Sequence, residues 1–465
     1  MKRTLPWLLA LCMLLLAGCT ETYPPPAPRS LMDVNHTATA DGQLAIAMDP
    51  TGAKHILRAV CPTGAANPEC TLTYEMTRQG EVGALWYFTP AGGYTFRNPE
   101  VTVTDSNVAY LIWQNCPADN LTGRLCSTWY TTSDDMSAHV LDPGTHSLSA
   151  PILASRGETV YAVHEVTNGY AAGSALRYCR VSDISYACHW VSDHPAADDG
   201  VRRTDAAAAV SAAGSLHVAW LQGTGNARTG FYNDNAGTLN SDMAHKLQME
   251  TGPFLPPAVG VESDDGYVYI ALSADEKAAG SSDWMQLYYC APANCSGSGG
   301  VKAVDLPAAK GWYFIGGPSA AASDDRMWIA FATVTSDHPT QSDIYLAGCF
   351  PDSSTCTPFR PYPTTLNDYD HDCDPRIGLI DGWFPVVGWH ICGIPPVRGN
   401  VYFYGGGEKG GYVIHESDSN GRGGLDMAVN GEWVAGIWNE ARPDERIETW
   451  LAFNAKMTYL PAVRR

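Results

Sequence analysis

One pattern recurs eight times along this chain, and it limits the fold more than any single motif. Each copy begins with a short small-and-apolar segment, often led by Pro. A Gly/Asp/Asn turn follows, then a stronger strand ending near an aromatic, then a strand bearing Tyr or Trp. The clearest copies are Pro99 to Thr104 with Val108 to Trp113, and Ala206 to Val210 with Leu216 to Trp220. Pro257 to Val261 with Tyr267 to Leu272, Pro318 to Ala322 with Met327 to Phe331, and Pro375 to Ile380 with Phe384 to Trp389 repeat it. Leu44 to Met48 with His55 to Val60, Pro151 to Ala154 with Val160 to Val163, and Leu425 to Val429 with Trp433 to Trp438 are weaker versions.

From Leu44 to Leu425 the spacing averages about 54 residues, within the range of four-stranded propeller blades. Short β-rich segments, turn signals and almost no helical periodicity make the chain all-β. Each small sheet has to bury its faces on its neighbours, and a closed ring protects the edges, so the expected fold is a β-propeller. Eight blades are favoured, with seven as the alternative. The small first segments, Ala206 to Ala209 and Ala320 to Ala322, suit innermost strands where backbones converge. Trp113, Trp220, Trp328, Trp389 and Trp438 recur at strand positions and read as inter-blade core.

The N-terminus has Lys2 and Arg3, an apolar run from Leu5 to Leu16, and Leu16-Ala17-Gly18-Cys19. This is a secretory signal over residues 1–18, short for a membrane span. Its ending resembles the bacterial lipobox, which implies diacylglycerol on Cys19 and cleavage before it. Pro24, Pro25, Pro26 and Pro28 then favour extended chain, so residues 19–33 read as a lipid-anchored linker and 34–465 as the propeller. With the signal removed, 49 acidic residues face 27 basic ones, a net charge of −22. That excess argues against nucleic acid as a partner.

Cys12 leaves with the signal and Cys19 takes lipid. The remaining cysteines form neighbouring pairs: Cys61 and Cys70, Cys116 and Cys126, Cys179 and Cys188, Cys290 and Cys295, Cys349 and Cys356, Cys373 and Cys392. In an exported chain sequential disulfides are the economical reading, each closing a short loop at roughly 2 to 4 kcal/mol by chain entropy. No C-x-x-C pair is present to suggest zinc.

Taken together, the repeats and the lipobox resemble secreted bacterial β-propeller lipoproteins of sialidase-like or repeat-lectin-like style. The likeness is at fold level, since the sialidase Ser-x-Asp-x-Gly-x-x-Trp box and the WD40 signatures are absent.

The sharpest local feature is Asn367 to Asp374, entering the seventh repeat. Asp368, Asp370, Asp372 and Asp374 alternate, offering hard oxygen donors on one side of a loop as calcium requires; a solvated acidic loop is the competing reading. Ser-Asp-His-Pro occurs at 192–195 and 336–339, so Asp337 and His338 are binding candidates, although Asp-His-Pro is also ordinary turn chemistry. Glu165, Asp275, Glu276, Glu440, Arg442 and Asp444 follow second strands and face the same rim; Glu440 and Arg442 join the binding candidates. His164 and Glu165 are adjacent in a strand and point apart. There is no phosphate loop, nucleophile elbow or His-Glu-x-x-His motif.

The function expected from these features is a cell-surface or periplasmic binding or scaffold module for a glycan, peptide or protein. The alternative is a glycoside hydrolase or lyase with a site at the channel mouth, since one fold hosts both.

Overall fold

A computed structural model describes residues 32–33 and 43–454, apart from 63–68, 79–80, 120–125, 148, 168–172, 184, 193–199, 225–226, 235–244, 248–253, 263–266, 275–283, 292–301, 307–312, 324–325, 336–337, 351–355, 360–371, 381, 383, 392–398, 406–411, 418–421, 432 and 442–446. Along much of the seventh and eighth sheets only the backbone path is described.

The described strands sort into eight antiparallel sheets, seven of them built in chain order from an inner strand outward. The first contains Leu44–Met48, Lys54–Val60, Thr71–Arg78 and Glu81–Phe88; the second Tyr94–Val103, Ala109–Pro117, Ser127–Thr132 and His139–Val140. In the third, the inner strand is broken into His146–Ser147 and Ile152–Arg156, both pairing with Thr159–Thr167, followed by Ala175–Cys179 and Cys188–Trp190. The fourth runs Arg202–Val210, Leu216–Thr224, Ala227–Asp234, His245–Lys246; the fifth Ala258–Val261, Val268–Ala274, Trp284–Cys290, Lys302–Leu306. The sixth runs Tyr313–Ala322, Met327–Thr335, His338–Cys349, Thr357–Phe359; the seventh Asp372–Ile380, Phe384–Ile391, Gly399–Gly405, Tyr412–Ser417. The described strands contain no helix.

Each inner strand neighbours the next, and Leu44–Met48 also neighbours Arg422–Asn430, so the ring closes. The eighth sheet is composite: Arg422–Asn430, Trp433–Ala441 and Ile447–Asn454 come from the chain end, and its outer strand is Met32–Asp33, pairing with Leu451 and Trp450. The sequence boundary that put residues 32 and 33 in the linker is therefore corrected. A two-residue strand has no periodicity to read, and its partner lies at the other end of the chain.

The core lies between sheets. Leu57, Tyr74, Phe96 and Trp113 join the first to the second sheet, and Val163, Leu176, Val218 and Trp220 the third to the fourth. Ala330, Leu346, Val387 and Trp389 join the sixth to the seventh, and Ile46, Ile56, Ala435 and Ile437 the eighth back to the first. Fully burying one such side chain stabilises by roughly 1.5–3 kcal/mol, so closure adds an interface that an open row of sheets would leave wet. Small inner-strand residues permit this approach. A Cβ placed on Gly378 would lie 2.4 Å from Val429 Cγ2 on the next inner strand.

Candidate functional site

The rim that carries the second-to-third-strand loops and the inter-sheet loops is shaped by a recurrent irregularity. In five inner strands the register slips: between Arg97 and Glu100, Thr204 and Ala207, Ile315 and Ser319, Cys373 and Arg376, and Gly423 and Asp426. The slip lies opposite Trp113, Trp220, Phe331, Trp389 and Trp438 respectively. Trp328 lies outside this set, and Phe331 takes the equivalent place; Trp328 packs instead against the core between the sixth and seventh sheets. Asn98 and Asp205 occupy the slip with φ of 49° and 51°, a left-handed conformation that short polar side chains tolerate.

Three of the residues that follow a slip are charged. Glu100, Arg376 and Asp426 come from the second, seventh and eighth inner strands. Burial pushes the Glu100 carboxyl up to about 8; the Asp426 charge adds to this and Arg376 opposes it. Asp426 is also raised by burial, opposed by Arg376 and by the backbone N–H groups of Ile46 and Met427. Glu100 is thus held protonated near neutrality beside a second carboxyl and a cation.

A second cluster lies between the third and fourth sheets. Glu165 is fully buried at the end of its strand. It accepts a hydrogen bond from Ser174 Oγ, and Arg202 Nη2 approaches its two oxygens at 3.3 and 3.4 Å. Burial raises Glu165, while Arg202, Ser174 and Ser149 hold it down. Arg203 is buried beneath: its Nη1 donates to Ser174 O at 2.8 Å and Val201 O at 3.1 Å, and its backbone N–H donates to Ser174 Oγ at 2.9 Å. Half of the Arg202 side chain faces solvent. The arrangement is a buried carboxylate holding an open guanidinium in one orientation.

His164 turns the other way, as strand alternation requires. Its Nε2 is 3.4 Å from Asp142 Oδ2, which also receives Arg177 Nη1 at 2.6 Å. Arg177 lies over the Trp190 ring at 4.6 Å and donates to Cys188 O. Burial lowers the His164 pKa despite Asp142, so the ring is neutral at neutrality. This cluster braces the second and third sheets.

Four disulfides have both cysteines among the described residues, Cys61–Cys70, Cys116–Cys126, Cys179–Cys188 and Cys349–Cys356. The first two tie second to third strands on the charged rim; the others tie third strands toward outer strands on the opposite rim. Cys290 and Cys373 are also disulfide-bonded, while Cys295 and Cys392 lie outside the described residues. Such bonds indicate an oxidising, extracytoplasmic environment. Among the described residues no helix is long and apolar enough to cross a membrane.

Of the acidic run, Asp372 and Asp374 fall within the inner strand Asp372–Ile380 rather than in a loop. Their side chains, and Asp368 and Asp370 altogether, lie outside what is described. The same holds for Asp337, Arg442 and the side chains of His338 and Glu440, and for Cys19. Among the described residues no group of three or more His, Cys, Asp or Glu is arranged to hold a metal. Glu165 was visible in the sequence as a residue closing a second strand. Arg202 was missed, because nothing local joins it to a carboxylate 37 residues earlier.

No family model and no curated protein matches the chain. Among solved structures it is similar to a protein of unknown function from Dyadobacter fermentans, at 9% identity and TM-score 0.45 over 78% of this chain and 96% of that one. It is similar to the polysaccharide lyase Uly1 at 10% identity and TM-score 0.45, covering 92% and 94%. It is also similar to Trypanosoma rangeli sialidase at 11% identity and TM-score 0.39, covering 80% of this chain but only 56% of that enzyme. The assignment of an all-β propeller rests on the chain's own closed ring of four-stranded sheets.

Proposed function

We propose that this chain is an exported, lipid-anchored β-propeller that binds a glycan, peptide or protein partner on the rim bearing Glu165 and Arg202. The observation that carries the reading is the Glu165–Arg202 pair. A guanidinium half open to solvent is fixed by a carboxylate with no solvent access, so its donors stay aimed outward at little entropic cost when a ligand arrives. Disulfides on both rims support a rigid platform. The membrane is reached through lipid on Cys19. Asp337, His338, Glu440 and Arg442 extend the binding surface, and Asp368, Asp370, Asp372 and Asp374 hold calcium beside the disulfide-bonded Cys373.

The test is to screen the soluble domain, residues 20–465, against immobilised glycans and peptides, and to footprint any complex. Protection of the loops around Arg202 is the expected result. Absence of any ligand, or protection confined to the opposite rim, contradicts the reading.

One observation favours a second reading, an extracytoplasmic glycoside hydrolase or lyase. Glu100 and Asp426 both follow a register slip on inner strands, and burial raises both carboxyls, Glu100 to about 8, so Glu100 is a carboxylic acid at neutral pH, the proton donor that glycosidic cleavage employs. Turnover of a glycan that is lost in Glu100→Gln with the fold intact would support it; binding without turnover would exclude it.

A further inference from the structure

Glu81–Phe88, the outer strand of the first sheet, differs from its counterparts. It has eight residues where the other described outer strands have two to six, and among the described residues three of the five large apolar side chains that stand exposed are on it. Val82, Leu85 and Tyr87 are 52, 43 and 70% exposed, whereas Tyr94 and Phe350 are isolated cases elsewhere. An apolar edge with unpaired backbone groups is a feature that soluble proteins ordinarily suppress.

The register shows which way this patch faces. Leu85 is opposite Glu75, Glu75 opposite Ile56, and Ile56 opposite Ile46; Ile46 and Ile56 pack on Ala435 and Ile437 of the eighth sheet. Tyr87, two residues on, shares that face. Trp86 and Phe88 point the other way, toward the second sheet. The patch therefore lies on the side of the first sheet turned to the eighth, and the eighth carries Met32–Asp33 on its outer edge. Cys19 is 13 residues before Met32, so extended chain spans about 45 Å at most between lipid and sheet. The anchor enters the ring next to its largest apolar edge.

We propose that this edge, with Val82, Leu85 and Tyr87 foremost, rests on the surface of the bilayer that holds the Cys19 lipid, so that the propeller is fixed in orientation as well as tethered. The proposal rests on the lipid-anchor reading. Tyr and Trp favour the headgroup region, and the part of the chain that follows the signal, net charge −22, gains nothing from anionic lipid, so the contact is apolar and is made to a zwitterionic surface.

The experiment uses the full chain produced in a bacterium with its signal, reconstituted into phosphatidylcholine vesicles, with mass spectrometry of the N-terminal peptide to read Cys19 acylation. Amide hydrogen exchange of residues 81–88 is expected to slow about 10-fold on vesicles relative to the unlipidated domain, with residues 302–306 on the far side of the ring unchanged. Leu85→Asp/Tyr87→Asp removes this protection while acylation and vesicle attachment persist, and Tyr87→Ser, a milder change at an open position, reduces it. An acylated, attached chain with no protection of residues 81–88 overturns the proposal and leaves the anchor standing. Protection in the unlipidated domain that grows with protein concentration overturns it in favour of pairing between two copies. A Cys19 without lipid overturns the anchor and the proposal together.

Discussion

Asp426 accepts the backbone N–H of Ile46 at 2.9 Å, joining the inner strands of the eighth and first sheets across 380 residues of chain. With Asn430 Nδ2 donating to Met48 O at 3.2 Å, it seals the ring at the point where its two ends meet. Asp426→Ala leaves the Ile46 N–H without its acceptor and is expected to cost about 1–3 kcal/mol. Asp426→Asn keeps an acceptor and sheds a charge that burial penalises, so its urea midpoint should stay near that of the native chain. Equal losses in the two variants would show that the hydrogen bond does not seal the ring.

Glu100 makes stability depend on pH. Its carboxyl titrates at about 8 in the folded chain, against roughly 4.3 when unfolded. Between these values the folded state binds more protons, so the contribution is complete below about pH 4 and is lost as pH rises through 8. Glu100 is half-buried and Arg376 opposes the shift, which limits the effect to roughly 2 kcal/mol. Melting scans from pH 5 to 9 should show Glu100→Gln flatter than the native chain and more stable at pH 9. An unchanged slope would contradict the Glu100 environment described above.

Gly378→Ala should destabilise by about 1–3 kcal/mol, since its Cβ would meet Val429 at 2.4 Å and two inner strands would have to separate. The melting temperature reads this directly. A neutral substitution would mean that the seventh and eighth inner strands are farther apart than described.

Calorimetry with calcium checks the acidic run. Binding heat and a raised melting temperature are expected in the native chain, with both lost in Asp368→Asn/Asp370→Asn. No heat in the native chain would remove the metal from the account.

What could be read from the sequence was whatever repeats locally. Short alternating segments marked the inner three strands of each sheet, and in four pairs neighbouring cysteines marked their own partners. Ala206 to Ala209 marked an inner strand because small residues are needed where backbones converge. Features set by distant partners were not readable. Met32–Asp33 is a strand only because Ile447–Asn454 offers it an edge, and Arg202 gains meaning only from Glu165. Glu100 was within a recognised repeat, yet its environment depends on Asp426, at the other end of the chain. The register slip leaves one local trace, a left-handed Asn or Asp at Asn98 and Asp205.

The binding reading is tested most directly by titrating the strongest ligand from the array into the native domain and into Arg202→Ala/Glu165→Gln, which removes the cation without stranding a buried carboxylate. The account predicts at least about 10-fold weaker binding, on the order of the 1.4 kcal/mol of one charge-assisted contact, with the melting temperature little changed. Equal affinity in the two proteins would contradict it.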